Sequence, residues 1–129
     1  MKKIIILTLL YFFNVSCKSQ NKENYQLLAP LEFLEKLKTT SNPQILDVRT
    51  SQEFITGHIK NAINVNWNGD KFNDEIKIFD KTKPIFVNCQ AGGRSKKASE
   101  RLQTLGFNKI IELDGGINSW ENEKLPLTN

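Results

Sequence analysis

Three observations predict an α/β fold built on a mainly parallel sheet. Short apolar runs of strand length alternate along the chain with segments whose apolar residues recur at helical spacing. Turn formers punctuate the joins, at Asn42-Pro43, Asn68-Gly69-Asp70, Gly106 and Asp114-Gly115-Gly116. One apolar run, Pro84-Ile85-Phe86-Val87-Asn88, leads straight into Cys89-Gln90-Ala91-Gly92-Gly93-Arg94-Ser95 and then a helical segment, which puts a thiol at the carboxyl end of a strand.

The amino terminus stands apart from this pattern. Lys2 and Lys3 precede an apolar run from Ile4 to Phe13, followed by Asn14-Val15-Ser16-Cys17 and a polar stretch to Asn24. That is the charged, apolar, small-residue order of an export signal, with an apolar run too short to span a bilayer comfortably. The Ser16-Cys17 end resembles the lipobox of bacterial lipoproteins, in which the Cys becomes the lipidated first residue, although Asn14 stands where that motif usually has an apolar residue. The expected division is a cleaved signal peptide at 1–16, a lipid-anchor Cys17 with a polar tether over 17–24, and a folded domain over 25–129. Plain periplasmic secretion and an uncleaved anchor are the alternatives. Each places the domain outside the cytoplasm, on the periplasmic side of a bacterial membrane.

Tyr25 to Leu28 is the first strand. Pro30 suits a first helical turn, and Leu31, Leu34 and Leu37 recur on one face of a helix that ends by Asn42-Pro43. Gln44 to Arg49 is the second strand, and Thr50-Ser51-Gln52-Glu53 has the form of a capping box, so a short helix starts near Ser51 and stops at Gly57. Ile63-Asn64-Val65 is a third strand, and Phe72, Ile76 and Phe79 predict a helix through about Phe79. The fourth strand ends at Asn88. The helix after the loop, Ser95 to Leu105, carries Ala98, Leu102 and Leu105 inward and stops at Gly106. Lys109 to Leu113 is the fifth strand, and Ile117 to Glu123 a last short helix.

The net charge is +4, and removal of residues 1–16 takes away Lys2 and Lys3 to leave +2. The remaining basic residues are scattered and not interleaved with aromatics, so nucleic acid is not an expected partner. With Cys17 lipidated, Cys89 is the sole thiol and no internal disulfide can form. A loop opening a helix leaves backbone N–H groups without intrahelical partners, and together with the helix dipole and Arg94 these favour a thiolate and an anion beside it. Glycines at 92 and 93 allow the loop to wrap those groups inward. No metal or cofactor is expected.

Leu46-Asp47-Val48-Arg49, Glu53-Phe54, Gly57-His58-Ile59, Ala62-Ile63-Asn64, the loop Cys89 to Arg94, and Gly115-Gly116-Ile117 with Trp120 together resemble single-domain rhodaneses. The resemblance covers nearly all of 25 to 125 and implies a rhodanese-like, five-stranded parallel sheet in the order 1-5-4-2-3, flanked by helices on both faces. It also implies sulfur transfer. Cys89 would attack the outer sulfur of a small sulfur-containing anion such as thiosulfate, hold it as a persulfide, and pass it to cyanide or a thiol. Gln90, Ala91, Gly92, Gly93, Arg94 and Ser95 would bind the donor, with Arg94 on its sulfonate-like end. Asp47 and Arg49 read as a pair that fixes the fold near the site, with Glu53 joining them. His58 reads as a structural residue of a turn, with a general-base role as its less favoured alternative. Asn61 stands where the family commonly has glycine, and Asn tolerates positive φ. Arg94 is the loop's only charge, unlike the more cationic loops of some dedicated thiosulfate enzymes.

Two other readings compete. Related cell-cycle phosphatases place five residues between Cys and Arg, whereas four stand here, Gln90 to Gly93, which favours sulfur over phosphate. A persulfide carrier or binding module without efficient turnover is the rival from another class.

Overall fold

The strands and helices follow in the order β1 (Tyr25–Leu28), α1 (Pro30–Thr39), β2 (Gln44–Asp47), α2 (Ser51–Thr56), β3 (Ile63–Asn64), α3 (Phe72–Glu75), β4 (Ile85–Asn88), α4 (Gly93–Thr104), β5 (Ile110–Leu113) and α5 (Gly116–Asn122). This computed structural model describes residues 24–129. The expected signal peptide, Cys17 and residues 17–23 of the tether lie outside the described residues.

All five strands pair in parallel, in the order β1-β5-β4-β2-β3. A parallel sheet needs both faces covered, and the central strands β4 and β5 are buried at every position. One face carries Val87, Cys89, Ile85 and Ile110 against Ala98 and Leu102 of α4, with Phe72, Ile76 and Phe79 closing the side. The other carries Ile45, Phe86, Ile111 and Leu113 against Phe33 and Leu37 of α1 and Ile117 and Trp120 of α5. Phe33 anchors that second layer, with its ring edge-on to both Phe86 and Trp120.

Two elements differ from expectation. In α1 the buried face runs through Pro30, Phe33 and Leu37, and Leu31 is 58% exposed. Phe33 has the larger apolar area, so its burial sets the helix's rotation. The segment from Phe72 is a single α-turn that tightens into a 3-10 turn over Ile76–Ile78, which still buries Phe72, Ile76 and Phe79 while Ile78 points outward. Elsewhere the local signals hold. Thr50 and Glu53 form the reciprocal capping box of α2, and Asn61 takes φ +68°.

Candidate active site

Cys89 follows β4 directly and is 1% exposed. Its Sγ accepts the Gly92 N–H at 3.0 Å and lies 3.3 Å from Ser95 Oγ. Gly92 reaches this geometry at φ +109°, a conformation strained for any residue with a Cβ. Gly93 is already the first residue of α4, and the Lys96 N–H closes the turn onto the Gly92 carbonyl at 3.2 Å. The sulfur therefore sits at the positive end of a helix of 12 residues.

The loop's other wall is α5. The N–H groups of Ile117 and Asn118 donate to the carbonyls of Cys89 and Gln90 at 2.9 and 3.0 Å. Gly116 makes the approach possible, since a Cβ there would stand 2.4 Å from the Cys89 carbonyl oxygen. Asn118 Oδ1 also accepts Gln90 Nε2 at 2.6 Å, and Gln90 Oε1 accepts Arg49 at 3.0 Å. Ala91 is exposed on the crest of the loop.

Two ion pairs flank this loop. Arg49 and Asp47 are fully buried at the end of β2, joined by a two-pronged contact at 2.8 to 3.1 Å. Arg49 also donates to the Gly57 carbonyl at 2.7 Å, so one guanidinium ties β2, the end of α2 and the loop together. Asn64 holds the same corner from β3, donating to the carbonyls of Asp47 and Arg49 at 3.0 and 2.8 Å. Glu53 does not join this pair. It reaches Arg94 across the loop, at 2.6 and 2.8 Å. The Arg94 guanidinium holds the Glu53 carboxyl down at about 2, helped by the Thr50 N–H and hydroxyl and opposed by partial burial. Reciprocally, Glu53 raises the Arg94 guanidinium.

Beneath the sulfur, on the α4 face of the sheet, lies a residue not anticipated from the sequence. Glu112 of β5 is 2% exposed, and its Oε1 accepts Ser95 Oγ at 2.7 Å while Oε2 accepts the Tyr25 hydroxyl of β1. Burial, then the hydrogen bond and charge of Glu112, push the Tyr25 phenol above its ordinary value. The signal available was an acid inside the otherwise apolar run Ile110-Ile111-Glu112-Leu113, where a strand buried on both faces should carry none unpaired.

His58 lies in a turn. Its ring stacks on Phe54 with centroids 3.7 Å apart, its Nδ1 meets the Phe54 carbonyl at 2.9 Å, and its backbone bridges Thr128 in both directions. Trp120 is core, and Trp67 packs edge-on to Phe72. Among the described residues no group of three or more His, Cys, Asp or Glu side chains is placed to hold a metal ion, and no helix is long and apolar enough to cross a membrane.

Residues 30–123 match the family model of the Rhodanese-like domain. The chain belongs to the rhodanese-like family. The rhodanese-like fold is equally evident in three dimensions: a rhodanese-related protein of Thermoplasma volcanium superposes with a TM-score of 0.71 at 35% identity, covering 81% of this chain and 98% of that one. Thiosulfate sulfurtransferase 16 of Arabidopsis thaliana is 37% identical over 91 residues, which span 63% of this chain and 76% of the plant protein. Thiosulfate sulfurtransferase GlpE of Shewanella oneidensis is 32% identical over 91 residues, 67% of this chain and 84% of that protein. Other relatives are much longer, and the chain spans 23% and 21% of proteins of Ogataea parapolymorpha and Scheffersomyces stipitis named adenylyltransferase and sulfurtransferase. Sulfur transfer is the general activity that membership of this rhodanese-like family supports.

Proposed function

We propose that the chain moves a sulfane sulfur from a donor such as thiosulfate to a thiol or cyanide through a persulfide on Cys89. The Cys89 thiolate forms a bond to the donor's outer sulfur while the donor's S–S bond breaks, and sulfite leaves with the electron pair. The acceptor then takes the outer sulfur, and the pair returns to Cys89 Sγ. The observation that carries this reading is the Gly92 N–H on Sγ at the N-terminus of α4, with Arg94 in that helix's first turn. This geometry offers hydrogen-bond donors and positive charge to an anion at the sulfur and beside it. Arg94 binds the sulfonate end of the donor by exchanging its Glu53 contact, and Gln90, Ala91, Gly93 and Ser95 line the remainder of the loop. The four-residue gap between Cys89 and Arg94 favours sulfur over a phosphate ester.

One observation favours a carrier without efficient turnover as the second reading: Arg94 is already neutralised by Glu53. Assays with thiosulfate and cyanide separate the two. Turnover gives thiocyanate continuously, whereas carriage gives one stoichiometric gain of sulfur on Cys89. Cys89→Ser abolishes both, and sulfur transfer that survives in this variant, or hydrolysis of an aryl phosphate with no thiocyanate, would refute the proposal.

The proposed location is the periplasmic side of a bacterial membrane, held by a lipid on Cys17 after removal of residues 1–16. The support is the order of residues from Lys2 to Cys17. Intact mass of the protein from its host reads the processing site, acyl chains on Cys17 and extra sulfur on Cys89 together.

A further inference from the structure

We infer that Glu112, set by Tyr25, is a positioning residue that governs the protonation of Cys89 through Ser95. For its purpose this rests on the sulfur-transfer reading of Cys89. The observations are a continuous chain of contacts: Tyr25 hydroxyl to Glu112 Oε2, Glu112 Oε1 to Ser95 Oγ at 2.7 Å, and Ser95 Oγ to Cys89 Sγ at 3.3 Å. The sheet imposes this juxtaposition. Glu112 pairs with Val87 across β4, and Cys89 stands two residues beyond Val87 on the same face.

Ser95 has one hydroxyl proton and three neighbours that can accept it, Glu112 Oε1 at 2.7 Å, the Gly92 carbonyl at 3.2 Å and Cys89 Sγ at 3.3 Å, of which the charged carboxylate is nearest. With Glu112 ionised, that proton points to Oε1, and Cys89 donates its own S–H to Ser95 Oγ. With Glu112 protonated, the carboxyl donates to Oγ, and the Ser95 proton turns to the sulfur, where it stabilises a thiolate. Passing between these states breaks the Cys89 S–H bond, moves that proton to Ser95 Oγ and moves the Ser95 proton to Glu112. The electron pair stays on sulfur and nothing is oxidised. When the acceptor removes the outer sulfur, the same steps reverse and Cys89 is returned its proton.

The other groups around this chain are known. Arg94 of α4 lies near Cys89 and is occupied by Glu53 of α2, while Asp47 of β2 acts on Arg94 from farther off. Glu100 of α4 and Asp114, just past β5, bear on Tyr25. Lys96 and Glu100, with Gln103, line a surface recess of about 220 Å³ beside Tyr25. The chain of contacts therefore runs from the buried sulfur to a solvent-facing recess.

The test is the pH dependence of iodoacetamide alkylation at Cys89 in the full chain, read by peptide mass spectrometry. It requires no sulfur transfer, so its failure is distinct from failure of the proposed function. Glu112→Gln removes the buried negative charge while keeping a group that hydrogen-bonds Ser95. Its alkylation at pH 6 becomes at least about threefold faster than that of the unaltered chain, and the profile moves to lower pH. Tyr25→Phe removes the donor that favours the ionised carboxylate and moves the profile the same way by less, which keeps the question open to test even where Glu112→Gln fails to fold. In a Ser95→Ala background the effect of Glu112→Gln shrinks to less than about half, as coupling through Ser95 requires. Unmoved profiles in folded variants, whatever their melting temperature, overturn the proposal, as does an undiminished Glu112→Gln effect without Ser95.

Discussion

Two arginines stand on either side of the same loop, each clamped by a carboxylate in two-pronged fashion, and they differ in burial. The Asp47–Arg49 side chains are 0% and 1% exposed, whereas those of Glu53 and Arg94 are 31% and 25% exposed. Arg49 has every side of its guanidinium committed, to Asp47, Gly57 and Gln90. Arg94 is held by Glu53 with solvent at hand, so an incoming anion can replace that carboxylate without leaving either charge stranded in the interior. The buried pair is a fixture of the fold. The half-exposed pair is a contact that a substrate can open.

The largest way to break this contrast is Arg49→Ala. It leaves the Asp47 carboxyl buried without its partner guanidinium, and a loss of about 3–5 kcal/mol is expected in urea unfolding, with sulfur transfer falling in parallel as the loop loosens. Arg94→Ala should do the opposite. Its stability changes by about 0–1 kcal/mol, because the pair is solvent-screened, while KM for thiosulfate rises by about tenfold or more with a smaller change for neutral donors. A stability loss comparable to that of Arg49→Ala would erase the distinction between the two pairs.

A finer test is Glu53→Gln, since glutamine can still serve the capping box of α2 while freeing Arg94 of its counter-charge. KM for thiosulfate should fall about two- to fivefold. The same variant has a pH signature. Glu53 is depressed from 4.5 to about 2 in the folded chain, so the stability it contributes is fully present above about 4.5 and is lost as pH falls toward 2. In Glu53→Gln that part of the acid-unfolding curve is absent, and an unchanged curve would show that the pair contributes nothing.

What could be read in the sequence was whatever rests on neighbours along the chain. The capping box from Thr50 to Glu53, the stop at Gly106 and the strand-to-loop passage at Cys89 are all local, and each forms as its spacing predicts. In α1, apolar residues at 31, 33, 34 and 37 allow more than one inward face, and only packing against Phe86 and Trp120 selects the one through Phe33. The partner of Arg94 is 41 residues away, so nothing in the loop's own spacing distinguishes Glu53 from Asp47 as its counter-ion. Glu112 was hidden for a related reason. Its meaning depends on β5 lying between β1 and β4, which brings Tyr25 to one carboxylate oxygen and Ser95 to the other.

The order β1-β5-β4-β2-β3 has a consequence in time. Among the described residues, the first strand to be made pairs only with β5, the last, and the helix that seats on the Cys89 carbonyl is later still. An emerging chain therefore presents its cysteine loop well before it possesses Glu112, Gly116 or a mate for Tyr25. A protein cut short after α4 keeps the thiol, Gly92 and Arg94, and lacks the wall and floor that enclose them. Completion of the reactive pocket coincides with closure of the whole sheet, and such a long-range closing step is slow by the standards of local folding.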